Sequence, residues 1–153
     1  MTAIGQMQPL ITALRELEAL NSGNNRRKIM RKIAGYLAKM NRKRMKQNIT
    51  PEGAAMQDRK RKRKFSNRHG VEKTDFKMFQ KIGRQLRQNY DDNQAKAFFN
   101  GAMGNTALDH QEGRRVTKGN MSFDEPMREL LGLPEADQRE IANMIMTQLT
   151  NLQ

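Results

Sequence analysis

The clearest periodic stretch of the chain is residues 25–47, NRRKIMRKIAGYLAKMNRKRMKQ. Ile29, Ile33, Leu37 and Met40 recur at intervals of four, four and three, which places them along one side of an α-helix. Met30 and Tyr36 widen that side, while Arg26, Arg27, Arg31, Lys39, Arg42 and Lys43 mostly occupy the others. Gly35 weakens the middle by about 1 kcal/mol relative to Ala, and its small size leaves room for another element to approach. The helix should stop before Pro51, because a residue preceding proline avoids helical angles. Thr50-Pro51-Glu52-Gly53 then reads as a turn. Upstream, PLITALRELEAL at 9–20 predicts a short amphipathic helix with Pro9 in its first turn and Leu10, Leu14 and Leu17 on its apolar side.

Beyond the turn the pattern weakens. Residues 54–73 show no apolar periodicity and read as a long, exposed, basic loop or arm. In 75–90, Phe76, Phe79, Ile82 (or Gly83) and Leu86 follow helical spacing behind Asp75 as an N-cap, although the stretch is ambiguous. QAKAFFN alternates weakly and suits a strand, and Gly101, Gly104 and Asn105 mark a break. Thr106 to Gly113 suits a short helical turn, and Arg114 to Phe123 a loop or an edge strand. Asp124-Glu125-Pro126 opens a predicted short helix through MRELLGL, closed by Gly132. Pro134, with Glu135 and Asp137 behind it, opens a final helix whose apolar stripe is Ile141, Ile145, Leu149 and Leu152, widened by Met144. The expected fold is α+β: long N-terminal amphipathic helices, a small antiparallel β-sheet around 94–123 and a C-terminal helix, in a single domain over 1–153 from which 54–73 extends.

Composition adds two constraints. A chain of 153 residues with 36 % apolar and 29 % charged residues supports one modest core beneath a large polar surface. Twelve Met against six Phe, two Tyr and no Trp suit thin cores and contact surfaces that repack. The net charge of +13 is unevenly spread: Asn24 to Lys96 holds 23 basic against six acidic residues, a net +17, and the remainder is −4. Opposite patches on one subunit offer a head-to-tail contact. The sharpest local feature is the run Arg59, Lys60, Arg61, Lys62, Arg63, Lys64, with Phe65 behind it. Such a run can neutralise phosphates in a salt-sensitive way or dock on acidic protein surfaces. Reading a base sequence would need a rigid element in a groove or several aromatic platforms, and Phe65 alone is a poor platform.

Reactive chemistry is sparse. The absence of cysteine excludes disulfides, thiolate nucleophiles and cysteine zinc sites. Of the two histidines, His69 lies at the end of the basic loop. His110 stands in Asp109-His110-Gln111-Glu112, a set whose adjacent members do not face one way on a helix. The glycines at 101–104 lack a following Gly-Lys-Ser/Thr, and Ser22, Ser66 and Ser122 lack a nucleophile-elbow setting. No catalytic, cofactor or metal residue is assigned and an enzyme is not expected. The amino terminus lacks the pattern of a signal peptide, and no window reaches the ~20 apolar residues that span a bilayer.

Four segments in order carry a resemblance: RRKIMRKIAGYLAKMNRKRMKQNITPEG at 26–53, KMFQKIGRQL at 77–86, AKAFFNG followed by ALDHQEG within 95–113, and EPMRELLGLPEADQREI at 125–141. This order resembles the phage virion morphogenesis, or tail completion protein S, family of Mu-like and related contractile-tailed phages. The shared signals are Pro51-x-Gly53, His110-Gln111-x-Gly113 and, most specific, Pro126-x-Arg128-Glu129-Leu130-Leu131-Gly132-Leu133. Family members often carry an aromatic or apolar residue where this chain has Glu125. The resemblance implies a structural, non-catalytic virion part acting late in tail assembly near the head, made in the host cytoplasm, and by analogy a ring of identical copies. The implied neighbours are tail tube, sheath or neck and connector proteins, with non-specific contact to passing DNA and no membrane. Arg59 to Lys64, together with Arg128 and Glu129, are the expected partner-binding residues. The alternative is a small basic nucleic-acid-binding regulator.

Overall fold

A computed structural model of the chain describes residues 23–58, 64–66, 72–74 and 78–150. The element order is α1 (Gly23–Gln47), β1 (Lys64–Ser66), β2 (Glu72–Thr74), α2 (Gln80–Gln85), β3 (Arg87–Tyr90), β4 (Ala95–Phe98), α3 (Gly101–Glu112), β5 (Arg115–Lys118), β6 (Met121–Asp124) and α4 (Glu135–Thr150). The fold is α+β, with a helix of 25 residues toward the N-terminus and one of 16 toward the C-terminus. The helix expected at 9–20 and the last stripe residue, Leu152, lie outside the described residues. The strands form three separate two-stranded antiparallel ribbons rather than one small sheet, because α3 intervenes between β4 and β5 and each strand pairs only with its sequence neighbour.

The chain divides into two compact units. In the first (described residues of 1–40, 86–99 and 132–153), Ile29, Met30 and Ile33 of α1 are buried with Ile141 and Ile145 of α4. Tyr36, Leu37, Tyr90, Ala95 and Leu133 pack against this cluster half-buried. Fully burying side chains of this kind contributes about 1.5–3 kcal/mol each before conformational entropy is subtracted. The Tyr36 hydroxyl donates to Asp137 Oδ1 at 3.1 Å, so the buried acid in the first turn of α4 is satisfied from α1. Pro134 ends the incoming segment and its carbonyl accepts from Asp137 N and Gln138 N, which starts α4 where the proline and first-turn acids predict.

The β3–β4 ribbon turns on Asp91. Its Oδ1 accepts from Asn93 N at 2.7 Å and from Gln94 N at 2.8 Å, an Asx turn, while Asp91 N donates to Gln94 O at 2.9 Å. This ribbon corrects the helical reading of 75–90. Phe79, Ile82 and Leu86 are all buried as their spacing requires, but the helix ends at Gln85. Arg87 to Tyr90 instead exchange ladder bonds with Ala95 to Phe98, a tertiary pairing that outweighs the local period.

The second unit comprises the described residues of 41–85 and 100–131. Asn48, at φ 54, closes α1 in the left-handed region, with Asn48 N donating to Met45 O and Ile49 N to Arg44 O. The predicted turn follows: Gly53 N donates to Thr50 O at 3.0 Å and Ala54 N to Thr50 Oγ1 at 3.1 Å. Within 54–73, expected as a loop throughout, β1 and β2 pair antiparallel from Lys64↔Thr74 to Ser66↔Glu72. The break expected at Gly101, Gly104 and Asn105 is absent, because all three lie inside α3. Once the ALDHQE half is helical and tied by Ala107 and Gln111 to its surroundings, extending the helix backward costs less than nucleating it.

Gly113 stops α3 at φ 65 and ψ 44, and a Cβ there would lie 3.1 Å from Met127 N and 3.2 Å from Met127 Cα. Both the left-handed backbone and the close pass of residue 127 require glycine. Gly113→Ala should therefore lower the denaturation midpoint, by at least the roughly 1–2 kcal/mol of left-handed strain, read by circular dichroism in urea. Asp91 has its pKa lowered, chiefly by the backbone hydrogen bond from Asn93. A depressed carboxylate stabilises the fold above its unfolded value and loses that contribution as pH falls through the folded one. Acid titration should thus release the Asn93 and Gln94 amides below pH 3.8, the unshifted value, in wild type, while Asp91→Asn, which keeps the acceptor, should show no such transition by NMR.

Candidate functional site

Of the motif residues singled out in sequence, Pro51, Gly53, His110, Gln111, Gly113 and Pro126 to Leu131 lie in the second unit, whereas Gly132 and Leu133 belong to the first. The short helix expected from Asp124-Glu125-Pro126 through MRELLGL to Gly132 does not form: Asp124 ends β6, and residues 125–134 have no regular secondary structure. Several backbone N–H groups of this segment are instead bound by α3 and by the residues just beyond it. Glu125 N donates to Arg114 O at 3.0 Å and Arg128 N to His110 O at 2.6 Å. Gln111, on the last turn of α3, completes the set: its Oε1 accepts from Leu130 N at 2.8 Å and Leu131 N at 3.0 Å, and its Nε2 donates to Leu131 O at 3.0 Å. One carboxamide thus serves three backbone groups with the pattern a neighbouring strand would offer. A helix over these residues would have to give up those bonds, and Pro126 supplies no N–H of its own.

Arg128 is the second tie. Only 4 % of it is exposed. Its Nε donates to Gln57 O at 2.8 Å, Nη2 to Asp58 O at 3.3 Å, and Nη1 to Glu125 Oε2 at 3.2 Å. Nη1 also lies 3.3 Å from His110 Nδ1. The same His110 Nδ1 lies 3.6 Å from Glu125 Oε2, so the ring sits beside both the guanidinium and its counter-charge. Phe79 meets the same ring edge-on, with centroids 5.3 Å apart and an interplanar angle of 77°. A buried cation is tolerable only when its hydrogens are used and a counter-charge is near, and Glu125 and the two carbonyls meet that condition.

The placement revises the expected surface. Arg128 is not available on the outside: it is spent on the carbonyls of Gln57 and Asp58, the two residues that precede the basic run. Glu129 is half-buried. Arg59 to Arg63 lie outside the described residues, and Lys64 opens β1. The root of the arm, Gln57 and Asp58, is held by the Arg128 guanidinium. Gln111 was visible in sequence only as part of a recurring motif. Nothing in its helical context signals that its amide would cap a segment 19 residues away.

Among the described residues no three His, Asp or Glu side chains gather as metal ligands. Glu112 is committed to Arg114 Nε at 2.6 Å, and His110 to the Arg128 cluster. No helix among the described residues is long and apolar enough to cross a membrane.

The Gln111 bridge can be dissected by isosteres. Gln111→Glu keeps the acceptor for two N–H groups and loses the donor, whereas Gln111→Leu removes all three bonds. The leucine variant should lose about 2–3 kcal/mol of unfolding free energy and the glutamate variant clearly less, measured by urea denaturation at neutral pH. Equal losses would mean that filling space matters at residue 111 and hydrogen bonding does not.

Comparison with known proteins gives a family match whose range takes in these segments. The profile of the phage virion morphogenesis family matches residues 6–150, nearly the whole chain, including the turn at Pro51, the His110-Gln111 element and the Arg128 segment. No curated protein and no solved structure gives a match. With a match of that extent, this chain belongs to the phage virion morphogenesis family and has a role in assembling the phage particle.

Proposed function

We propose that the protein is a structural subunit that completes the tail, or joins tail to head, in a contractile-tailed phage, and that it works as a ring of identical copies. Family membership supports a structural part rather than an enzyme. The observation that carries the proposal further is the β5–β6 ribbon. It pairs Arg115↔Asp124 through Lys118↔Met121, with Thr117 Oγ1 and Ser122 Oγ 2.9 Å apart across it. Every strand residue except Val116 is exposed, so neither face is buried within the chain. Met121 is 70 % exposed and Met127, against the nearby Gly113, is 63 % exposed. An isolated two-stranded ribbon is marginal in water. Exposed methionines adapt to a partner's surface, so this ribbon suits a contact that forms on assembly. The basic middle and mildly acidic remainder of the sequence favour a head-to-tail contact between copies, and the arm at 54–73 suits acidic faces of neighbouring virion proteins.

Electron microscopy of particles produced without this protein should show separate heads and tails, or tails with unfinished ends. Complete and infectious particles would refute the reading. Sequence-selective binding of duplex DNA at physiological salt would favour the regulator instead. The double change Met121→Asp with Phe123→Ser, on exposed positions, should leave the thermal midpoint of the free protein within about 2 °C of wild type yet abolish rescue of infectivity.

A further inference from the structure

The first unit holds a cleft that the assembly reading does not use. It is an open depression of about 600 Å³ lined by Lys28, Arg31, Lys32, Gly35, Gln88 and Gln148. Three elements build it: α1 supplies the cations and the glycine, β3 supplies Gln88 and α4 supplies Gln148. Steps of three, one and three along α1 put Lys28, Arg31, Lys32 and Gly35 on one side, away from the buried Ile29, Met30 and Ile33. Lys39, one turn beyond Gly35, extends that side and is exposed.

The lining chemistry is one-sided. Among the described residues no carboxylate pairs with Lys28, Arg31 or Lys32. Lys32 Nζ donates to Gln148 Oε1 at 2.8 Å, which occupies the acceptor of that amide and leaves its N–H₂ group as donor. A Cβ built on Gly35 would have only Gln88 Oε1 near it, at 3.9 Å, so the glycine is not required by packing and its effect is to leave the depression open. The cleft therefore offers ammonium, guanidinium and amide donors to a ligand rich in acceptor oxygens and net negative charge.

We propose that this cleft binds the phosphodiester backbone of nucleic acid without reading its sequence. Phosphate contacts are made by Lys, Arg and Gln side chains, the types present here. An acidic protein partner fits less well. Protein interface cores are depleted in lysine and anchored by aromatic or apolar side chains, and the lining has neither kind of anchor. The absence of an aromatic platform also removes the means to stack bases, so affinity comes from charge. This proposal is independent of ring formation and concerns residues other than the basic arm.

The test is a fluorescence-anisotropy titration of the full chain with labelled duplex DNA of two unrelated sequences, over a range of salt. Wild type should bind both alike, with affinity falling linearly on a log–log plot against salt. Lys28→Gln with Arg31→Gln should reduce the magnitude of that slope by roughly 1.8 and weaken binding about eightfold per lost contact at 0.1 M salt. Gly35→Glu should weaken it comparably by placing a carboxylate in the depression, while keeping the circular-dichroism spectrum, since glutamate is the better helix former. Wild-type slope and affinity in both variants would overturn the proposal. Displacement of the DNA by polyglutamate at equal charge concentration would overturn the choice of nucleic acid over an acidic protein. Whether particles assemble is a separate readout and decides neither outcome.

Discussion

Backbone polar groups that leave water must find partners, and in the second unit that requirement governs the segment between β6 and Leu131. Residues 125–130 have neither a helix nor a ladder to supply them. α3 and Arg114 supply partners instead: Arg114 O and His110 O accept from Glu125 N and Arg128 N, and the Gln111 carboxamide serves Leu130 and Leu131, while the Arg128 guanidinium in turn binds the carbonyls of Gln57 and Asp58. Three stretches distant in sequence are thereby held at fixed distances: the residues after the Pro51 turn, the end of α3, and the Arg128 segment. Gly113 fits the same arrangement, because the chain passes within van der Waals contact of its Cα hydrogens and leaves no room for a side chain.

This network also gives the basic arm a defined base. Asp58 directly precedes Arg59, and its carbonyl is bound by a buried cation that Glu125 balances. Family membership places such a device in the assembly of a virus particle, where a protein's work is done by surfaces that meet other surfaces.

The first unit follows a simpler logic. One side of α1 is apolar and buries Ile29, Met30 and Ile33 against Ile141 and Ile145, with Tyr36 and Asp137 as the polar tie between the two helices. The opposite side then has to be polar, and on it the cations accumulate without acids to cancel them. Burial and charge on this helix are two consequences of one period. The cleft arises where that charged side is walled by residues from β3 and α4.

The body and C-terminal end of α1, the turn at 50–53, the start of α4 behind Pro134 and most of the buried apolar positions were determined by the sequence alone, because short-range sterics and a strong 3.6-residue period decide them; the start of α1 at Gly23, inside the Asn21-Ser22-Gly23-Asn24 patch that reads as a break, was not. The sequence also determined the family, through short motifs spread over nearly the whole chain. Where the local signal was weak, tertiary contacts decided. Arg87 to Tyr90 became a strand because Ala95 to Phe98 were there to pair with, α3 ran back through two glycines because its far end was anchored, and the Arg128 segment stayed out of a helix because Gln111 replaced helical hydrogen bonds. The run Arg59 to Lys64 was conspicuous as a string of letters, yet the burial of Arg128 and the gathering of Lys28, Arg31 and Lys32 with Gln88 and Gln148 were not. A linear sequence records which groups are charged, and only the folded chain determines which of them are spent on internal partners and which still face a ligand.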